Sequence, residues 1–240
     1  MKKRPCLCEN IFVMTAVIML LFVNLSVLVA THIEQKKISN FYMLKEYGHA
    51  ICRTIMLANN ERTISGHPSL LPGDLADQGI TFANAEAYFT YLMSDGTDTQ
   101  IIAENPNARL VPDLHPRMLA FGSMPEAKAG APVLPQNNVW HVVNVATNAL
   151  PEIPFLVTRN VRASAITYPT LLELENDENV LTPINIDTTV IPFKRVYWAA
   201  LGGNSSWAPS TKITRSQLCP IPKPESAPEL TVLPAQDGYH

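Results

Sequence analysis

No glycine occurs before Gly48, no proline occurs in 11–60, and 11–30 contain no charged side chain. The first two absences remove the residues that most often break a helix. The third removes the groups that hydrocarbon tolerates least. Glycine is scarce throughout, 10 against 20 prolines, which points away from a helical bundle and toward short extended pieces and turns. Net charge is −3, with no strong basic field, so nucleic acid is not an expected partner. The four cysteines are Cys6, Cys8, Cys52 and Cys219; no CxxC recurs and no histidine pair stands at ligand spacing, which argues against a zinc site. Also missing are GxSxG, HExxH, GxxxxGK[ST] and GxGxxG. The sequence therefore assigns no catalytic residue, cofactor, metal or small-molecule substrate, and it has no internal repeat.

What is present begins with an apolar run. Between Ile11 and Ala30 the only polar residues are Thr15, Asn24 and Ser26. Twenty helical residues span roughly 30 Å, the thickness of a bilayer's hydrocarbon core. A cleaved export signal competes with that reading, but its apolar region is about 7–15 residues and ends on small residues. Here the run is longer, and Leu28 stands where a small residue is wanted. A retained anchor in the lipid bilayer through 11–30 is the expectation. Lys2, Lys3 and Arg4 place the N-terminus in the cytoplasm, against a weaker opposing bias from Lys36 and Lys37. Cys52 and Cys219 would then share the far compartment and could pair if the fold brings them together.

Beyond Ala30 the rhythm changes. Phe41, Leu44, Gly48, Ile51, Ile55 and Ala58 recur at helical spacing, while Lys37, Lys45, Glu46, Arg53 and Asn59 make much of the polar remainder. The two parts read as one helix. Residues 63–79 read as a loop dense in breakers, and 83–93 as a short helix capped by Asn84. Residues 97–136 carry six prolines and read as irregular. Strands are expected at 139–146, 155–161 and 194–201, with a weaker candidate at 181–193. No βαβ alternation is present, so the economical fold is α+β: a long N-terminal helix packed on a small antiparallel sheet.

A short basic leader, an apolar helix, an amphipathic continuation and a β-rich head resemble the type IV pilin and type II secretion pseudopilin class. "NAEAYFTYLM", "NNVWHVVNVA", "PFLVTRNV" and "RVYWAALGG" look like segments of a pseudopilin-like group found in planctomycete-type bacteria. The resemblance implies a pilin-like fold, a bacterial inner-membrane location and assembly with itself or with other pilin-like subunits. It departs from the class in two places: no Gly directly precedes the apolar run, and Glu9 lies ahead of it rather than inside it. Two further classes therefore compete, a single-pass anchored binding or assembly factor unrelated to pilins and an anchored enzyme.

The expected organisation is a cytoplasmic leader (1–10), a transmembrane segment (11–30), its amphipathic continuation (31–60), a globular α+β head (61–218) and a proline-rich disordered tail (219–240). Within the head, His141 sits in a strand pattern and is expected to be a hydrogen-bonded structural histidine. "SDGTDT", with Asp95 and Asp98, offers calcium two carboxylates but lacks the alternating acids of an EF-hand, and a helix-ending turn explains it as well. "ELENDEN" at 173–179 concentrates four acids that a solvated loop explains better than catalysis. Trp140, Tyr197, Trp198 and Trp207 are core residues by default, an exposed subset among them being a partner surface.

Overall fold

The computed structural model describes residues 7–96, 106–122, 124–128, 130–175, 195–209 and 213–236. It divides into two compact units, Met1–Met43 and Leu44–His240. Helix α1 runs from Leu7 to Ile64, 58 residues, and so belongs to both. In the first unit three polar side chains turn back onto their own helix. Asn24 Nδ2 donates to the Leu20 carbonyl at 2.8 Å, Ser26 Oγ to that of Phe22 at 2.8 Å, and Thr31 Oγ1 to that of Val27 at 2.9 Å. This back-bonding satisfies the two hydroxyl donors and one of the two Asn24 amide N–H groups within the helix, which lowers their cost in an apolar medium.

In the second unit α1 buries Leu44, Gly48, Ile51, Cys52, Ile55 and Asn59, a single stripe with Glu46, Arg53 and Asn60 exposed opposite. Among the described side chains two differ from the periodic reading: Ala58 is half-buried, and Asn59 is buried instead of belonging to the polar face; the side chains of Lys37 and Phe41 lie outside the described residues. Asn59 Oδ1 accepts the Leu70 N–H at 2.7 Å and the Ser69 hydroxyl at 2.8 Å, so it ties down the chain where it reverses after α1.

The breaker-rich segment that follows is not all loop. Pro72–Asp77 forms α2, with Pro72 in the first turn, where its missing N–H costs nothing. Helix α3, Ala85–Leu92, starts as expected at Asn84, whose Oδ1 accepts the Ala87 N–H at 2.8 Å. The described part of the irregular stretch beyond it buries Val111, Leu114, Leu119 and Val133, so it belongs to the core despite its prolines.

The sheet has five antiparallel strands: β1 Trp140–Val143, β2 Pro154–Thr158, β3 Arg195–Ala200, β4 Ser205–Pro209 and β5 Val232–Leu233, in the order β4-β3-β2-β1-β5. Strands β1 to β3 fall inside the three expected runs or within one residue of them and are shorter. The weaker candidate at 181–193 lies outside the described residues. The β3–β4 hairpin turns through Gly203 at φ 86°, a conformation that favours glycine. The fold is thus α+β, a long N-terminal apolar helix with a small antiparallel sheet.

One expectation is overturned. Residues 219–236 are not a disordered tail: Cys219 is buried, β5 pairs Val232 with Val143 and Leu233 with Val142, and Ala235 is buried beyond it. Proline-rich composition misled because β5 draws on a distant strand for its ladder, which local pattern cannot register. Helices α4 (Leu171–Glu175) and α5 (Arg215–Leu218) are single turns beside each other.

Candidate functional site

Two surfaces carry the functional argument, one in each unit. Val13–Lys36 is long and apolar enough to cross a membrane, and none of its side chains is buried. Phe22, Leu20, Leu21, Val23 and Leu28 are among those left open, an exposed apolar area far beyond what a soluble surface normally carries. By length and composition this is a candidate membrane span.

In the second unit the polar groups converge where residues 231–236 meet α3 and β1. Glu86 on α3 is 3% exposed and His141 on β1 is 4% exposed. Asn138 Nδ2 donates to Glu86 Oε1 at 2.9 Å and to the Trp140 carbonyl at 2.9 Å, while its Oδ1 accepts the Trp140 N–H. The Gln236 N–H donates to the Glu86 carboxylate at 3.2 Å, and the Ala235 N–H donates to His141 Nδ1 at 2.8 Å. His141 Nε2–H in turn donates to the Val161 carbonyl at 2.7 Å. The Ala85 N–H donates to the Pro234 carbonyl at 3.0 Å, and the Asn144 N–H to the Thr231 carbonyl at 2.8 Å.

This geometry fixes the chemistry of the two titratable groups. His141 must be neutral with its proton on Nε2, because Nδ1 faces an N–H donor. Both ring nitrogens are engaged by main-chain groups, so His141 has the structural role expected of it. Burial raises the Glu86 carboxyl above its ordinary range, against the hydrogen bonds from Asn138 and Gln236 and the charge of Arg159, which pull it down. Arg159 donates through Nη1 to the Pro135 carbonyl at 2.8 Å and the Asn138 carbonyl at 2.9 Å. The cluster holds main chain in place. Sequence reading missed Glu86, Asn138, Arg159 and the 231–236 segment, since nothing local marks residues whose partners lie far along the chain.

Among the described residues the remaining sequence candidates are not brought together at one site. Asp95 is exposed, and Asp98 lies outside the described residues. Glu173 accepts the Thr170 N–H at 2.7 Å and pairs with Arg215 at 2.9 Å, closing the first turn of α4. The Thr170 amide first, and Arg215 after it, hold its carboxyl below the usual range against burial. Residues 176–179 of the acidic run lie outside the described residues. Among the described residues no three His, Cys, Asp or Glu side chains are grouped to hold a metal. Cys52 and Cys219 are both buried free thiols and do not form the pair that their shared compartment would allow. Burial pushes the Cys219 thiol up to about 11 and that of Cys52 further, which leaves neither as an active nucleophile.

Of the aromatic set, Trp140, Tyr197 and Trp198 are buried, and Trp140 Nε1 donates to the Met118 carbonyl at 3.1 Å. Trp207 is the exposed one, at 42%, with the Arg195 guanidinium 4.9 Å from its ring. A cleft of about 560 Å³ lies between α2, the β1–β2 connection and residues 224–231. Comparison of the chain with protein-family models, with curated proteins and with solved structures finds no match.

Proposed function

We propose that the protein is a non-enzymatic, pilin-like or pseudopilin-like envelope protein, held in a bacterial inner membrane through residues 11–30. Its N-terminus is cytoplasmic, its head lies outside the cytoplasm, and it acts by packing helices side by side and displaying the head. The observation that carries this reading is helix Leu7–Ile64, which is apolar through Val13–Lys36 and then contributes the buried stripe Leu44, Ile51 and Ile55 to an α+β body. An exposed apolar end that continues into a head-packing end supports a head carried on a helix able to pack against its neighbours. Alkaline extraction of membranes followed by mass measurement of the N-terminus tests the anchor. An intact chain in the membrane pellet is expected; a soluble chain lacking residues 1–30 overturns it.

A second reading, an anchored binding or assembly factor unrelated to pilins, is favoured by the absence of glycine before Gly48 and by the position of Glu9 ahead of the apolar run. The exposed Trp207, stacked against Arg195 at the sheet edge, would then belong to its partner surface. This reading predicts an anchored monomer with no contacts between spans.

A further inference from the structure

Segment 231–236 is held like a bound peptide. Most of its hydrogen bonds run through its main chain: the Thr231 and Pro234 carbonyls accept from the Asn144 and Ala85 N–H groups, and the Ala235 and Gln236 N–H groups donate to His141 and Glu86, while one side-chain bond joins Asn144 Nδ2 to Thr231 Oγ1 at 3.1 Å. Only Ala235 is buried; Val232, Leu233 and Pro234 are half-buried. The groove between α3 and β1 therefore reads an extended backbone with a small residue at one position, the logic of strand addition to a sheet edge.

The chain leading to this strap is peelable. Leu218 and Cys219 are buried, but none of residues 220–230 is, and these include Pro220, Pro222, Pro224 and Pro228. They form no helix or strand, and the 560 Å³ cleft lies beneath them. Extended at about 3.1 Å per residue, such a proline-rich link reaches roughly 34 Å, enough to leave its own groove for another. Strand β5 is two residues long, so the ladder that must break is short. Departure of the strap would uncover the β1 edge, a template for the same strand from another chain.

We propose that the strap of one copy occupies the α3–β1 groove of a second copy, so that the head joins assembly by reciprocal strand exchange. The proposal rests on the membrane-assembly reading above. Exchange regenerates every strap contact with identical partners, so only the connectivity changes. The balance between own and exchanged straps is set by the effective concentration of a tethered strap, of millimolar order, against the density of copies in the membrane.

The test uses full-length chains in membranes with Cys6, Cys8, Cys52 and Cys219 changed to Ala. One tagged chain carries Val143→Cys, and a differently tagged chain carries Val232→Cys, positions that face each other across β1 and β5. A parallel pair uses Val142→Cys and Leu233→Cys, one register step along. A single chain with both changes of each pair controls for geometry. On mild oxidation a mixed disulfide joining the two tags is expected, and tenfold dilution with added lipid shifts the control from intermolecular to intrachain bonds. Absence of the mixed product at both pairs, with the controls closing wholly within one chain, overturns exchange. Span-to-span crosslinks that persist in that case leave the assembly reading standing, whereas their loss together with the mixed disulfide removes both.

Discussion

Gly48 of α1 lies directly against the indole of Trp140 on β1: a Cβ at residue 48 would sit 2.8 Å from Cη2 of that ring. Trp140 cannot easily withdraw, being buried and held through Nε1 by the Met118 carbonyl. The glycine is therefore a point of close approach between helix and sheet, in a helix that would otherwise prefer alanine by about 1 kcal/mol.

Gly48→Ala sets these two effects against each other. Overpacking a well-filled core costs about 1–3 kcal/mol, which exceeds the propensity gained. A net loss of stability is expected, larger for Gly48→Val, measured as the denaturant midpoint of the detergent-solubilised chain. A rise in midpoint for Gly48→Ala would show that the indole moves aside.

Ile51 and Leu44 occupy the same stripe and are fully buried. Truncating either to Ala removes apolar contacts and leaves a cavity, at about 2–5 kcal/mol. Thermal unfolding of the head should register the loss, while truncation of the exposed Leu57 should leave it nearly unchanged. Equal effects at Ile51 and Leu57 would deny that this face packs the core.

The stripe also marks how far sequence reasoning reaches. Periodicity located Leu44, Ile51 and Ile55 because a helix repeats its own geometry, and β-branched and aromatic runs located β1, β2 and β3. Asn84 was legible as a cap because its partner, Ala87, is three residues away. Asn59 was not, since the Leu70 amide that makes its burial tolerable lies across a chain reversal. Strand β4 is written in serine and proline, and β5 sits between prolines. Both exist because a neighbouring edge supplies the hydrogen bonds. The Glu86–His141 clamp escaped for the same reason, its members lying on α3, β1 and the strap.

Two glutamates should bend the pH dependence of stability in opposite directions. The folded-state carboxyl of Glu86 is raised above 4.5, so its contribution is fully present below that value and is lost as pH rises through the folded value. Glu173 is lowered below 4.5, so its contribution is present above that value and is lost as pH falls through the folded value. Melting temperature against pH should lose its falling limb above 4.5 in Glu86→Gln and its acid-side limb in Glu173→Gln. Unchanged profiles in both variants would mean that these environments do not persist in solution.

The central claim is that anchored copies pack span against span. Asn24 uses one amide N–H on the Leu20 carbonyl, leaving the second N–H and the side-chain oxygen for a neighbouring helix, a contact worth about 0.6–2 kcal/mol in a membrane. Thr15, Ala16 and Ser26 are small enough to let such helices approach. The direct measurement is disulfide crosslinking of an Ala16→Cys chain, its native cysteines changed to Ala, in intact membranes with and without Asn24→Leu. The account predicts a ladder of crosslinked species that Asn24→Leu weakens while the chain stays fully membrane-bound. A chain that remains monomeric with Asn24 in place would contradict it and leave a solitary anchored binding protein.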